Sequence, residues 1–185
     1  TTSFSFSSFG SKLVLCLIIA SLMTPSTSNP LAKVCIRSEN PKFCLQVLDQ
    51  YTYSSPYELT QEAINLALTS AYETTDKIHT FLDQTKNHDL EVIYNKCLHY
   101  YQTAIDVLNG ANDQFLKDRL YSAVKFAGKR AQEDAFLCEH AFQSIAGYVY
   151  DSTLTKDNEN LGIFGSIVMS AVDLLYNSTS VKNSM

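Results

Sequence analysis

Basic residues, strand-like alternation and nucleophile motifs are all scarce in this chain, and each shortage excludes something. Lysine and arginine number 14 against 19 aspartates and glutamates, a formal charge of −5. Nucleic-acid binding runs on phosphate neutralisation, so this balance argues against it. An acidic chain would suit a basic partner instead. Alternating β-branched runs are few, which leaves little material for sheets. The chain holds no nucleophile elbow, zincin helix or phosphate-binding loop. Its four histidines, His79, His88, His99 and His140, have no serine or cysteine nucleophile partner that would survive disulfide pairing. The residues therefore predict neither a catalytic site nor a cofactor.

Long apolar runs are also rare. One, Leu13 to Met23, follows the lone cation Lys12 and precedes Thr24-Pro25-Ser26-Thr27-Ser28. Charged, apolar and small-residue segments in that order are the pattern of a secretory signal. A membrane span needs about 20 apolar residues, so this run is too short. Residues 1–28 are expected to be removed near Ser28, and the rest to be secreted with no membrane segment. Cys16 leaves with the signal, so Cys35, Cys44, Cys97 and Cys138 remain, an even number in an oxidising compartment. Lys12 is the only charge lost, leaving 13 basic and 19 acidic residues.

What is present is helical period. Ser55-Pro56-Tyr57-Glu58 offers an N-cap, a proline at the first helical position and a glutamate three after the cap. Leu59, Ala63, Leu66, Ala67, Ser70, Ala71, Thr74, Ile78, Phe81 and Leu82 then follow at three- and four-residue spacing, one amphipathic helix with a small-residue seam. A second helix begins near Asp89 and uses Leu90, Ile93, Tyr94, Cys97, Tyr101, Ala104, Ile105 and Leu108. A third runs Leu120, Val124, Ala127, Ala131, Asp134, Cys138, Phe142 and Ile145, with Gly147 as its expected left-handed cap. The fourth covers Leu161, Phe164, Ile167, Val168, Ala171, Leu174 and Leu175. Four long helices with short links predict an all-α fold, an antiparallel up-and-down bundle.

Cys97-Leu98-His99 is echoed by Cys138-Glu139-His140. Residues i and i+2 of a helix lie about 200° apart, so each pair cannot face one metal. A zinc site would also need reduced thiolates in a secreted protein. A disulfide between Cys97 and Cys138 fits better, provided the two helices reverse near Lys117-Asp118-Arg119. Reversal at Asn109-Gly110 would leave the cysteines roughly 20 Å out of register at 1.5 Å per residue. Gly110 is therefore read as a weak point or kink followed by another helical turn. Cys35 and Cys44 flank Ser38-Glu39-Asn40-Pro41, a turn between short helical arms, Leu31–Arg37 and Lys42–Leu48.

The cysteine pair in CIRSENPKFC, the run KCLHYYQTAIDVL and the stretch YSAVKFAGKRAQEDAFLCEHAF resemble the plant invertase and pectin methylesterase inhibitors over about 31–176. The resemblance implies a four-helix bundle carrying a helical hairpin (about 30–50 and 55–177, within a domain 29–185), with disulfides Cys35–Cys44 and Cys97–Cys138. It implies a non-enzymatic inhibitor in the cell wall or apoplast, or else the vacuole. The partner would be a pectin methylesterase or an acid invertase, bound one-to-one. Relatives often carry threonine before the last cysteine and an acidic residue two after it, where this chain has Leu137 and His140. Some invertase-directed members present Pro-Lys-Phe at the start of the third bundle helix. The matching place here reads Tyr121-Ser122-Ala123, the candidate partner-binding residues, and its departure from the tripeptide tilts the expectation towards the esterase. Pro41-Lys42-Phe43 occurs instead in the hairpin, where a proline serves the turn.

Glu133-Asp134 is expected to be a solvated or capping pair, not a glycosidase dyad. Gly162 and Gly165 are expected to allow close helix packing. Asn177-Ser178-Thr179 is a candidate glycosylation site. A small-molecule carrier or a pollen-type storage bundle is the alternative function, supported by the tyrosine- and phenylalanine-rich apolar positions. N-terminal sequencing of the secreted protein should start near Asn29; a soluble secreted form that retains Leu13–Met23 would contradict the signal.

Overall fold

The structure, a computed structural model, describes residues 29–50, 52–143 and 152–182, with side chains as far as Ser178. The predicted signal 1–28, together with Ile145 and Gly147, lies outside these residues. Among them are helices α1 (Pro30–Cys35), α2 (Pro41–Leu48), α3 (Pro56–Gln84), α4 (His88–Gly110), α5 (Tyr121–Ala141) and α6 (Thr155–Lys182).

The starts of α1 to α4 follow from local chemistry. Asn29, Asn40, Ser55 and Asn87 each accept a hydrogen bond from backbone N–H groups of the first turn. Proline takes the first position of α1, α2 and α3, where its missing N–H costs nothing. The expected capping box at α3 is shifted by one residue. Ser55 Oγ does accept from the Glu58 N–H at 3.2 Å. Glu58, however, reaches back to the N–H and hydroxyl of Ser54, at 2.9 and 2.7 Å. These bonds hold its exposed carboxyl below the usual glutamate value.

The hairpin α1–α2 is closed by Cys35–Cys44, with Cα atoms 5.3 Å apart. It lies on α6: Phe43 meets Phe164 edge-on at 5.3 Å, and the Glu39 N–H donates to Ser166 Oγ at 2.9 Å. Helices α3 to α6 form a four-membered bundle in which each packs on the next and α6 closes against α3. Helix α6 is the most enclosed. Over Thr155–Ser178 its mean hydropathy is 1.3, long and apolar enough to cross a membrane by length and composition. In the fold that apolarity is spent on packing, with Leu161, Ile163, Phe164, Ile167 and Val168 all buried.

The reversal between α4 and α5 falls where the cysteines require it. The helix passes Gly110 without stopping and widens into a π-turn, Ala111–Phe115, with the Leu116 N–H bonded to the Ala111 carbonyl at 3.1 Å. Arg119 then adopts φ 58°, the left-handed region, and the chain turns back at Leu120. Cys97 and Cys138 consequently face each other and are bonded, their Cα atoms 4.6 Å apart. Closing a loop of this size contributes about 4 kcal/mol in the chain-entropy model.

Two expectations for α5 need correction. The helix ends at Ala141, six residues short of Gly147. Leu120 does not start its core series either: it occupies the cap position, with φ −79° and ψ 61°, and is exposed. A residue outside the helix does not share its rotation, so its side chain leaves the apolar face.

The two glycines of α6 also differ. A Cβ on Gly165 would stand 2.5 Å from the Gly128 carbonyl oxygen, and one on Gly128 would stand 2.8 Å from that of Gly165. Here the α5 and α6 backbones touch. A Cβ on Gly162 would meet nothing within 4 Å, so packing does not account for that glycine. Gly165→Ala should therefore lower unfolding free energy by about 1–3 kcal/mol, as overpacking does. Gly162→Ala should raise it by up to about 1 kcal/mol through helix propensity. Urea denaturation of both variants measures the contrast.

Candidate functional site

Helix α5 has two faces. Inward it buries Val124, Ala127, Gly128, Ala131, Ala135, Cys138 and Ala141, mostly small side chains that let α4 and α6 approach. Ser122, Phe126, Lys129, Glu133, Phe136 and His140 recur at alternating four- and three-residue steps, a spacing that keeps them on one stripe. This second stripe points away from the bundle. Phe126 is 59% exposed and Phe136 66%. His140 lies edge-on to Phe136 with ring centroids 5.8 Å apart, and Lys129 Nζ is 3.4 Å from Glu133. Leu137, also exposed, widens the apolar area. Large apolar side chains aligned on an exposed helix face, interspersed with charge, are what a protein-binding surface offers.

The residues singled out from the sequence fall at one end of this stripe. Tyr121 is half-buried and packs edge-on against Tyr176, ring centroids 6.5 Å apart. Ser122 is exposed on the stripe, and Ala123 is half-buried beside it. Behind them Lys125 Nζ pairs with Asp173 at 2.7 Å, tying α5 to α6. Asn177 is exposed on the last turns of α6. Pro41, Lys42 and Phe43 form the first turn of α2, where Phe43 packs inward on Phe164. Phe126 and Phe136 were not anticipated. Their signal is in the sequence as a second periodic set on α5, out of phase with the one that forms the core.

A hydrogen-bonded network fixes the end of α5. Tyr101 donates its buried hydroxyl to Asn158 Oδ1 at 2.8 Å, and Asn158 Nδ2 donates to Glu139 Oε2 at 2.7 Å. Glu139 also accepts from the Ser152 and Thr155 hydroxyls at 2.9 and 2.8 Å. Burial pushes the Tyr101 phenol upward, so it stays a donor. Glu139, the spacer between Cys138 and His140, is thus a carboxylate that links α5 to α6. The two Cys-x-His units place their cysteines inward and their histidines outward. Among the described residues no three His, Cys, Asp or Glu side chains converge to hold a metal ion.

The expectation for Glu133-Asp134 holds for only one of the two. Glu133 is solvated, but Asp134 is fully buried on the α5 face turned to the core. Arg130 covers it, with Nε donating to Oδ2 at 3.0 Å and Nη2 at 2.9 Å from Oδ1. Burial raises the Asp134 pKa; the Arg130 charge and hydrogen bond offset part of that rise, the neighbouring Glu133 charge adds to it, and His99 on α4 opposes it.

A two-sided α5, stapled to α4 and interlocked with α6, defines a rigid helical scaffold that presents one helix to solvent. The family of plant invertase and pectin methylesterase inhibitors matches residues 29–171. The chain belongs to that family. It is 28% identical over 152 residues to a pectinesterase inhibitor of Actinidia deliciosa, covering 76% of this chain and 81% of that protein. The fold is similar to a mutant form of a pectin methylesterase inhibitor from Arabidopsis, with TM-score 0.70 and 18% identity, covering 79% of this chain and 97% of that one. A second structure, a pectin methylesterase inhibitor from Arabidopsis thaliana, aligns at TM-score 0.59 and 18% identity, over 80% and 96% of the two chains.

Asp134 carries a pH prediction. Its folded pKa lies above the unfolded value of about 3.9, so the native state binds the extra proton. The resulting stabilisation is complete below the unfolded value and is lost as pH rises through the folded one. Asp134→Asn should remove this dependence. Melting temperatures measured from pH 4 to 7 should fall less steeply with pH for the variant than for the wild type.

Proposed function

We propose that this protein is a secreted inhibitor of pectin methylesterase, acting one-to-one through the outer face of α5, from Tyr121 and Ser122 to Phe136. The exposed phenylalanines of that stripe carry the reading. Family membership supplies the inhibitor class, and the relative from Actinidia deliciosa bears the name pectinesterase inhibitor. Three features suit such a role. The interface helix is stapled by Cys97–Cys138 and locked to α6, so little conformational entropy is lost on association. Phe126 and Phe136 offer large apolar area with few rotatable bonds. The acidic balance favours encounter with a basic surface.

The esterase is preferred over acid invertase because Tyr121-Ser122-Ala123 stands where some invertase-directed relatives have Pro-Lys-Phe. The hairpin's own Pro41-Lys42-Phe43 turns its phenylalanine into the fold. A carrier role is less well supported. The interior aromatics pack on one another, Phe81 on Tyr94 at 5.5 Å and Tyr94 on Phe142 at 5.8 Å. By this reading the protein has neither catalytic activity nor a nucleic-acid or membrane partner, and it works in the cell wall.

Mixing the oxidised protein with purified pectin methylesterase and with acid invertase at acidic pH tests the assignment. Esterase activity should be lost stoichiometrically; loss of invertase activity alone would reverse the target. Phe126→Ala should weaken esterase binding by roughly 2 kcal/mol, as for a hot spot, with the melting temperature nearly unchanged. Tyr121→Ala should also weaken binding, and it should lower stability because the packing on Tyr176 is lost. Unchanged inhibition by both variants would remove the outer face of α5 as the interface.

A further inference from the structure

Beside the stripe lies a groove of about 750 Å³, formed where the hairpin turn, α5 and α6 meet. Gly162 and Ile163 lie along its α6 side, and Phe136 lines it from α5. Glu39, Glu133, Glu139 and Glu159 bring carboxylates to it, against the single cation Lys156; Glu139 is already engaged by Ser152, Thr155 and Asn158. Two of these carboxylates have only loose exposed partners: Lys156 stands 3.7 Å from Glu159, and Lys129 stands 3.4 Å from Glu133. Exposed pairs of this kind are weak and readily exchanged for a better-placed cation. Glu39 is positioned by Gln132, whose Nε2 donates to it at 2.7 Å. Gly162 adds room to the groove. A glycine inside a helix weakens it, and this one contacts nothing that a Cβ would meet. Its physical consequence is open space beside Phe136.

We propose that this groove receives a lysine or arginine side chain of the partner enzyme, its aliphatic stem over Gly162 and Ile163 and its cationic head among Glu39, Glu133 and Glu159. The proposal rests on the inhibitor reading and adds to it a receptor for one basic side chain. The occupant follows from charge complementarity and shape. An apolar trough ringed by acids matches a long stem with a charged end, and an exposed aromatic face attracts such a head through its π-electrons. Continuity with the stripe, through Glu133 and Phe136, places the groove at the edge of the same interface.

The test measures dissociation constants of the full oxidised protein for pectin methylesterase at low and high salt. It compares the wild type with Gly162→Leu and with the double variant E133K/E159K, and records melting temperatures alongside. Gly162→Leu fills the trough at a position with room for it. It should weaken binding at least tenfold without lowering the melting temperature. The charge reversal should weaken low-salt binding at least tenfold, with the loss shrinking at high salt. If both variants bind within twofold of the wild type, the groove is not a receptor. Loss in the leucine variant alone would mean an apolar occupant, and loss in the charge variant alone would mean long-range steering; either overturns the inserted cation. A wild type that binds no pectin methylesterase would overturn the inhibitor reading and this role together.

Discussion

The Cys97–Cys138 bond sets the geometry on which the rest depends. It joins α4 to α5 with Cα atoms 4.6 Å apart, and a separation that short permits only one register of the two helices. That register places the reversal near Arg119, which requires α4 to run on past Gly110 through the π-turn. It also sets the rotation of α5. With Cys138 facing inward, successive steps of about 100° per residue carry Phe126, Glu133 and Phe136 to the opposite side. The staple therefore holds the chain together and decides which residues a partner can reach.

Polar contacts then fix α5 against α6 more specifically than apolar packing could. The Gly128–Gly165 approach brings the two backbones into contact, leaving little freedom for sliding. Tyr101, Asn158 and Glu139 form a chain of donors and acceptors across three helices. Such a network tolerates few alternatives, because a shifted helix would strand buried polar groups without partners. Asp134 follows the same logic at a cost: a buried carboxylate is acceptable only because Arg130 covers it from the same helix. Together these contacts make α5 a firmly held ridge, a useful property in the surface proposed to block an enzyme without being altered by it.

Family membership and mechanism rest on different parts of this architecture. The cysteines, the capped hairpin and the bundle order place the chain in its family. Of these, only Glu39 in the hairpin turn touches a partner in the proposed complex. Recognition is assigned instead to side chains that the fold holds in solvent: the aromatic stripe and the acidic groove beside it. Changes on that face can alter the target with little effect on the core, since Phe126 and Phe136 contribute little to folding when so much of each is exposed.

Local chemistry and spacing determined much by themselves. The cap at Ser55 with Pro56 after it, the four helical periods and the reversal near Lys117 were legible, because each depends on residues close in the chain or on one distance constraint. Three features were decided only by tertiary structure. Gly162 and Gly165 look alike in sequence, yet one meets a neighbouring backbone and the other meets open space. Glu133 and Asp134 are adjacent acids, and only the position of α4 and α6 around α5 buries one and leaves the other solvated. The groove unites Glu39 with Gln132, 93 residues apart in the chain. Periodicity reports that a helix has faces, but burial of a face depends on which other helix occupies the space beside it, and that is set by packing across the whole bundle.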